Sequence, residues 1–402
     1  MRRVVITGQG AVSALGMDAS ATMEGLREGR LGISSLDIPD VERLSIRIGG
    51  QIHDYTPEEH FTRQELVLFD RATQFAMLAA REAMAQSGLA VSSENASRIG
   101  VVLGTAAGGL HTLDDSYRAV YEAGRNRVHP FVVPRLMNNA AASHISMTYG
   151  IEGPGFTVAT ACASSNHAMG QAFHMIRSGM CDAILTGGSE SMLVFGGIKA
   201  WEGLRVMSQD ACRPFSKTRN GMVQGEGAAI FVFEEYESAR ARGADILAEV
   251  LGFAMTSDAG DIVMPNRDGA ARAMRGALKD AGIDADSVGY INAHGTGTTA
   301  NDKTEVAAIR EVFGPHADSL LVSSTKSMHG HLIGGTGAVE LLACIMALRD
   351  GIIAPTIGYE EPDPECNLDV VPNVAREASV DVALSNAFAF GGMNAVLTLR
   401  AI

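Results

Sequence analysis

One cysteine and two histidines carry the chemistry that this sequence can perform. Cys162 sits in Thr157-Val158-Ala159-Thr160-Ala161-Cys162-Ala163-Ser164-Ser165-Asn166, where a short β-branched run gives way to small residues. A helical pattern follows at once, with Ala168, Ala172, Phe173 and Ile176 on one face and Gly179 just past its end. A thiol on such a strand-to-helix elbow meets unsatisfied backbone N–H groups and the positive end of a helix dipole, both of which favour a thiolate. A cysteine without further company is more commonly plain core. The company here is His294, in Ile291-Asn292-Ala293-His294-Gly295-Thr296-Gly297-Thr298, and His331, which ends Ser323-Ser324-Thr325-Lys326-Ser327-Met328-His329-Gly330-His331. One imidazole beside a thiol suits a hydrolase or a simple acyl transfer. Two suit more. A thiolate holds an acyl group as a thioester, while two Nε–H groups aimed at a second carbonyl stabilise an enolate. That combination fits carbon–carbon bond formation better than hydrolysis.

The elements that must position these groups alternate between buried strands and helices. Val4-Val5-Ile6-Thr7-Gly8 reads as a strand at the very start, and residues 17–29 as a helix, with an irregular excursion over 31–55. The spacing of Leu66, Phe69, Ala72, Phe75, Ala76, Ala79, Ala80 and Ala83 predicts one long helix over 63–87, stopped by Gly88. Strands are expected over 98–104, 183–188, 228–233 and 245–253, and helices over 136–149 and 267–280. Ala106-Ala107-Gly108-Gly109 lacks the spacing of a dinucleotide fingerprint. The second half echoes the first: Ala281-Gly282-Ile283 repeats Gln86-Ser87-Gly88-Leu89, and the strand at 320–324 with its helix at 338–348 repeats the cysteine elbow. Two copies of one α/β unit are therefore expected, with Cys162 and His331 at comparable strand-to-helix positions facing the seam.

The 402 residues, 46% hydrophobic and 19% charged, suffice for a large core. A formal charge of −14 argues against nucleic acid as a general partner, and an acidic protein partner would need a local basic patch. The five cysteines (Cys162, Cys181, Cys212, Cys344 and Cys366) show no metal-ligand spacing. With no targeting segment ahead of the first strand, free thiols in a reducing cytoplasm are expected. Residues 153–176 lack Asp, Glu, Lys and Arg, but their Gly, Pro, Ser, Asn and two His argue against a membrane helix.

Taken together, these motifs resemble those of the β-ketoacyl-acyl carrier protein synthases, the decarboxylating condensing enzymes of the thiolase superfamily. The resemblance runs from Val4-Val5-Ile6-Thr7-Gly8 to Asn386-Ala387-Phe388-Ala389-Phe390-Gly391-Gly392-Met393-Asn394. It is closest to the KAS II type, with variant motifs most like the nodulation protein E branch. It implies an α/β, thiolase-like fold: two pseudo-symmetric halves in an α-β-α-β-α layering, 1–240 with the nucleophile and 241–402 with both histidines. It implies that Cys162 takes an acyl chain from acyl carrier protein, and that His294 and His331 hold malonyl-acyl carrier protein while CO2 leaves. The N–H groups of Cys162 and Phe390 would form the oxyanion hole, and Phe390, with Phe388 beside it, would gate the acyl pocket. Lys326 would be a third polar partner, paired with Glu340; a purely structural ion pair is the alternative. Thr296 and Thr298 would contact the pantetheine arm, or serve as plain turn residues. A homodimer is implied, and no cofactor or catalytic metal.

The departures from the family pattern matter. Ala389 and Met393 replace the usual Gly and Thr, which stiffens the gate, and Gly297 and His329 replace a common Ser and Thr. His331 takes the catalytic role over His329 through its register with Glu340. Ala107 replaces a bulky pocket residue, which implies a deeper acyl pocket. The carrier-docking helix reads Leu66-Val67-Leu68, with few basic residues, leaving Arg125, Arg127 and Arg205 as contacts for an acidic carrier or as solvated charges. A thiolase using coenzyme A would need a second cysteine near 388–394. A non-catalytic chain-length partner subunit would lack the nucleophile. A specialised acyl, polyene or lipo-oligosaccharide pathway would keep the chemistry and change the product.

Overall fold

The buried β-branched runs assemble into one large sheet. The computed structural model describes all 402 residues, Met1–Ile402. The front part contributes Val4–Ser13 (β1), Ile99–Gly104 (β2), Gly155–Val158 (β3), Ala183–Ser191 (β4) and Glu226–Glu235 (β5). The back part contributes Ala248–Ser257 (β6), Tyr290–Asn292 (β7), Leu321–Ser323 (β8), Val382–Ala389 (β9) and Met393–Arg400 (β10). They are hydrogen-bonded in the order β8-β7-β9-β10-β6-β1-β5-β4-β2-β3. Outward from the central pair, each side therefore runs first, fifth, fourth, second, third strand. The strand directions repeat as well: β2 is parallel to β3 and β4, and β7 is parallel to β8 and β9. The two sides meet where Val4–Ile6 of β1 pairs antiparallel with Ala248–Val250 of β6.

Helices fill three layers around that sheet. Arg71–Ser87 (α1) covers β1 and β5 from outside, and Arg267–Ala281 (α3) covers β6 and β10 in the same way. Between the two sides lie Ser164–Arg177 (α2) and Thr336–Asp350 (α5), each touching strands of both. Every residue of α5 from Thr336 to Leu348 is buried, as a helix apolar on all faces requires. The largest hydrophobic cluster is this middle layer, and two smaller ones lie under the outer helices. The layering expected from the sequence is present, but the two sheets join edge to edge into one.

Two expected helices are broken. The stretch at 63–87 is split into Arg63–Leu68 and α1, because Asp70 caps α1 through the Ala72 N–H and ties the break to Thr112 through both its N–H and its hydroxyl. The stretch at 136–149 becomes Val132–Leu136 and Ala140–Tyr149. A further helix, Leu110–Tyr117, was not expected from the sequence.

Candidate active site

Two sharp elbows, one on each side of the molecule, build the site. Ala161 has φ +48° and Ile333 φ +49°, left-handed values that cost a non-glycine residue about 1–2 kcal/mol. Each lies three residues ahead of its helix, Ser164 opening α2 and Thr336 opening α5. The kinks correspond, but the functional groups do not: Cys162 follows one kink directly, whereas His331 precedes the other by two residues. The expected equivalence of Cys162 and His331 is therefore shifted, and the positional counterpart of Cys162 is Gly334. Gly104 on β2 lets the elbow pack closely, since a Cβ there would sit 2.4 Å from Ser164 C and Ser165 N.

The sulfur of Cys162 and one ring nitrogen each of His294 and His331 lie within 4.8 Å of one another. All three residues are buried, and all three line one cavity of about 130 Å³. The imidazole rings are 5.5 Å apart and nearly perpendicular, at 82°. At His331, the Ile333 N–H donates to Nδ1 at 3.2 Å, and the Thr336 hydroxyl lies 2.7 Å from the same atom. Nδ1 is thus the acceptor, which places the proton on Nε2. That Nε2 is buried with no partner in the protein, a donor free for a ligand. His294 is held through its backbone: Glu305 on the helix Thr299–Phe313 (α4) accepts from the His294 and Gly295 N–H groups, both at 2.8 Å, and from Asn386 at 3.2 Å.

Electrostatics keep these groups neutral. Burial, then the positive charge of Lys326, holds both imidazoles well below their ordinary pKa. Burial pushes the Cys162 thiol up to about 11, against the pull of Lys326 and of the N–H groups of Phe390 and Cys162 itself. Burial thus works against the thiolate that the elbow's N–H groups favour. The same two N–H groups converge on the sulfur, which is where the oxyanion of an acyl-cysteine would form. Lys326 is fully buried and bonded through Nζ to Glu340, whose carboxyl burial raises to about 7. Sulfur with two imidazoles is also a donor set that zinc accepts. Lys326, whose charge reaches all three groups, opposes a cation there.

The remaining sequence candidates divide into two groups. Thr296, Thr298, Phe388 and Phe390 line the cavity. Thr298 also caps α4 by accepting from the Asn301 N–H, so its turn role is real as well. His329 lies outside the cavity lining, its ring within bonding distance of Gly330 O and Thr325 Oγ1. Glu340 bonds to Lys326, the pairing expected from the sequence, and does not touch His331; Ile333 and Thr336 are what fix the His331 ring. Ala107 does not line the cavity: its N–H donates to Glu190 Oε1 at 3.3 Å, so the deeper pocket expected there gains no support. Arg125, Arg127 and Arg205 are exposed and make no salt bridge, and Arg205 adjoins the cavity-lining Val206. Sequence reasoning missed Thr336, Glu305 and Trp201. Glu305 had one signal, an acid on the apolar face that Val306 and Ile309 bury. Trp201 had another, being the only tryptophan in the chain.

The whole chain has relatives. Residues 1–239 match the β-ketoacyl synthase N-terminal domain, and residues 247–360 the β-ketoacyl synthase C-terminal domain. Nodulation protein E of Rhizobium sp. (strain N33) is 49% identical over 401 residues, covering 100% of both chains. The 3-oxoacyl-[acyl-carrier-protein] synthase 2 of Staphylococcus aureus (strain COL) is 42% identical over 406 residues, covering 99% of this chain and 98% of that one. Among solved structures, the ishigamide ketosynthase/chain length factor superposes with a TM-score of 0.95 at 38% identity, covering 100% of this chain and 99% of the other. A mixed α/β, thiolase-like fold is common to the chain and such structures.

Proposed function

This chain belongs to the β-ketoacyl synthase family, and from that we propose that it is an acyltransferase working as a 3-oxoacyl-[acyl-carrier-protein] synthase, with Cys162, His294 and His331 dividing the reaction between them. The observation that carries the reading is their convergence on one cavity, with the free Nε2–H of His331 facing it. In the first half-reaction the Cys162 thiol attacks the acyl thioester on the carrier. The carrier sulfur leaves with the thiol proton, and the acyl group remains on Sγ. The N–H groups of Cys162 and Phe390 hold the oxyanion. In the second, the thioester carbonyl of malonyl-carrier accepts hydrogen bonds from the two neutral imidazoles. CO2 leaves, and its bonding pair becomes the enolate. The enolate carbon attacks the acyl carbonyl, and the C–S bond to Cys162 breaks. The 3-oxoacyl-carrier departs, and the Cys162 thiolate takes a proton from solvent to replace the one that left with the first carrier. Neutral imidazoles serve this better than imidazoliums, because they donate without handing a proton to the enolate. Burial, reinforced by the positive charge of Lys326, keeps them neutral.

The division of labour supports a nucleophile half at 1–240 and a histidine half at 241–402. Thr296 and Thr298 serve the pantetheine arm. Arg125, Arg127 and Arg205 are offered as contacts for an acidic carrier, Arg205 with most support from its place beside the cavity. Several large apolar side chains between 117 and 156 are exposed, Tyr121 at 80% and Val133 at 61% among them. Such a patch fits an interface, and we assign it to a second copy of this chain. No helix is long and apolar enough to cross a membrane. A chain-length partner of another sequence is the second reading, favoured by the likeness to a ketosynthase/chain length factor; in that pairing the present nucleophile makes this chain the catalytic member. Mass spectrometry after exposure to acyl-carriers of graded length tests the assignment. Acylation at Cys162, with one length fastest, supports it, and acylation elsewhere or nowhere overturns it.

A further inference from the structure

Glu190 lies at the seam between the two halves and has no part in the chemistry above. It is fully buried near the end of β4, and its carboxylate is within electrostatic reach of Cys162. Oε1 accepts from the Thr105 hydroxyl at 2.9 Å and from the Ala107 N–H at 3.3 Å. Oε2 accepts from the Ala106 N–H at 2.6 Å and from the Gly334 N–H at 3.2 Å. All four partners donate, so the ionised carboxylate is the form these surroundings suit, although burial lifts its pKa to about 7. Three of the donors belong to the loop after β2, in the front half. The fourth, Gly334, belongs to the kink that follows His331 in the back half.

The two kinks are secured differently. Beside Ala161 the Ser164 hydroxyl donates to the Ala161 carbonyl at 2.7 Å and accepts from the Thr160 N–H at 2.9 Å, so that kink is held by its own segment. Beside Ile333 both polar groups of Gly334 are held from the front half, its N–H by Glu190 and its carbonyl by the Ser165 hydroxyl on α2. There is no slack, since a Cβ on Gly334 would lie 2.4 Å from Ala106 N and 2.6 Å from Glu190 Oε2. Ile333, at φ +49°, is strained, and such backbone persists only where its neighbours are fixed. Its N–H is the group that donates to Nδ1 of His331. We propose that Glu190 is a positioning residue for the decarboxylative half-reaction: with Ser165 it clamps Gly334, holds Ile333 in its strained turn and so keeps the Nε2–H of His331 aimed at the substrate carbonyl. The clamp acts through His331 and rests on the role given to that residue above.

The test separates the two half-reactions in the full-length protein at pH ~8, above the Glu190 pKa of about 7. Loading from octanoyl-acyl carrier protein is read as the mass gain on Cys162. Decarboxylation is read as CO2 released when the loaded enzyme meets malonyl-acyl carrier protein. Glu190→Ala is expected to load at nearly the wild-type rate and to release CO2 roughly 10- to 100-fold more slowly, as the loss of hydrogen bonds to a buried charge implies. Glu190→Gln is expected to recover most of that rate. Its carbonyl can face Ala106 and Gly334 while its NH2 faces the Thr105 hydroxyl, which turns to accept, and only the long bond from Ala107 is lost. Ser165→Ala, which frees the other side of Gly334, is expected to show the same split at roughly 2- to 10-fold. A Glu190→Ala enzyme slowed equally in both steps, or a Glu190→Gln enzyme no faster than Glu190→Ala, overturns the clamp while sparing the acyl-cysteine reading. Should Glu190→Ala fail to fold, Ser165→Ala decides, and unchanged CO2 release overturns the clamp. A wild-type enzyme that gains no mass overturns both.

Discussion

At the scale of the residue, the thiol of Cys162 and the ring of His331 are tuned in opposite senses by the same burial. Only a thiolate alkylates, and burial holds this one at about 11. The rate of iodoacetamide reaction at Cys162 is therefore expected to keep rising above pH ~10, where a free cysteine of pKa ~8.5 has levelled off. A plateau near neutrality contradicts the buried-thiol picture. At His331, Thr336→Val removes one of the two groups facing Nδ1. A hydrogen bond of this kind is worth about 1 kcal/mol, so kcat is expected to fall several-fold to tenfold with KM nearly unchanged. A change confined to KM contradicts the assignment of Nε2–H to the transition state. Cys162, His294 and His331 were legible because strand-to-loop punctuation surrounds each one. The thiol's protonation was not legible, since it depends on which residues seal the cavity. Thr336 was not either, because a threonine opening a helix looks the same whether its hydroxyl caps the helix or orients a ring.

At the scale of the element, two devices hold the loops in place. Lys326 and Glu340 join the short helix Lys326–His329 to α5 entirely inside the protein, with side chains 0% and 1% exposed. Removing one partner leaves a buried charge unpaired, at about 3–5 kcal/mol. Lys326→Met is thus expected to lower the thermal midpoint sharply, and adding Glu340→Leu to recover most of it without recovering activity. Equal midpoints for the single and double variants contradict a buried pair. Asp70 is the second device: it caps α1 and binds Thr112 at once. Asp70→Ala is expected to cost at least the ~1 kcal/mol of a lost N-cap, measured as a lower denaturation midpoint. Here the sequence misled in an instructive way. Apolar periodicity continued through Phe69-Asp70 as if one helix ran on, because a 3.6-residue pattern is indifferent to a break whose two segments both pack on the same core. The local signal was Asp70 itself, an N-cap type in the middle of the run.

At the scale of the whole molecule, repeated punctuation in the sequence was enough to reveal two related units, because Gly88 and Gly282, or Gly179 and Gly351, end corresponding helices in left-handed turns. The joining of both sheets through β1 and β6 was not readable, since pairing between distant strands leaves no local trace. Neither was the three-residue offset that puts Gly334, and not His331, opposite Cys162. The exposed apolar side chains at 117–156 set an expectation for assembly. Sedimentation should give twice the monomer mass, and Tyr121→Asp with Val133→Asp should return a folded monomer; a monomeric wild-type protein contradicts the second-copy interface. The reaction itself asks for one decisive measurement, intact mass through a full cycle. Cys162 is loaded from octanoyl-acyl carrier protein, and malonyl-acyl carrier protein is then added. The octanoyl mass should leave the enzyme with release of one CO2 and appear on the carrier as a 3-oxoacyl thioester, whereas His294→Ala and His331→Ala should load and then stall. Release of free octanoate in place of the 3-oxoacyl-carrier, or unhindered turnover by both histidine variants, would contradict it.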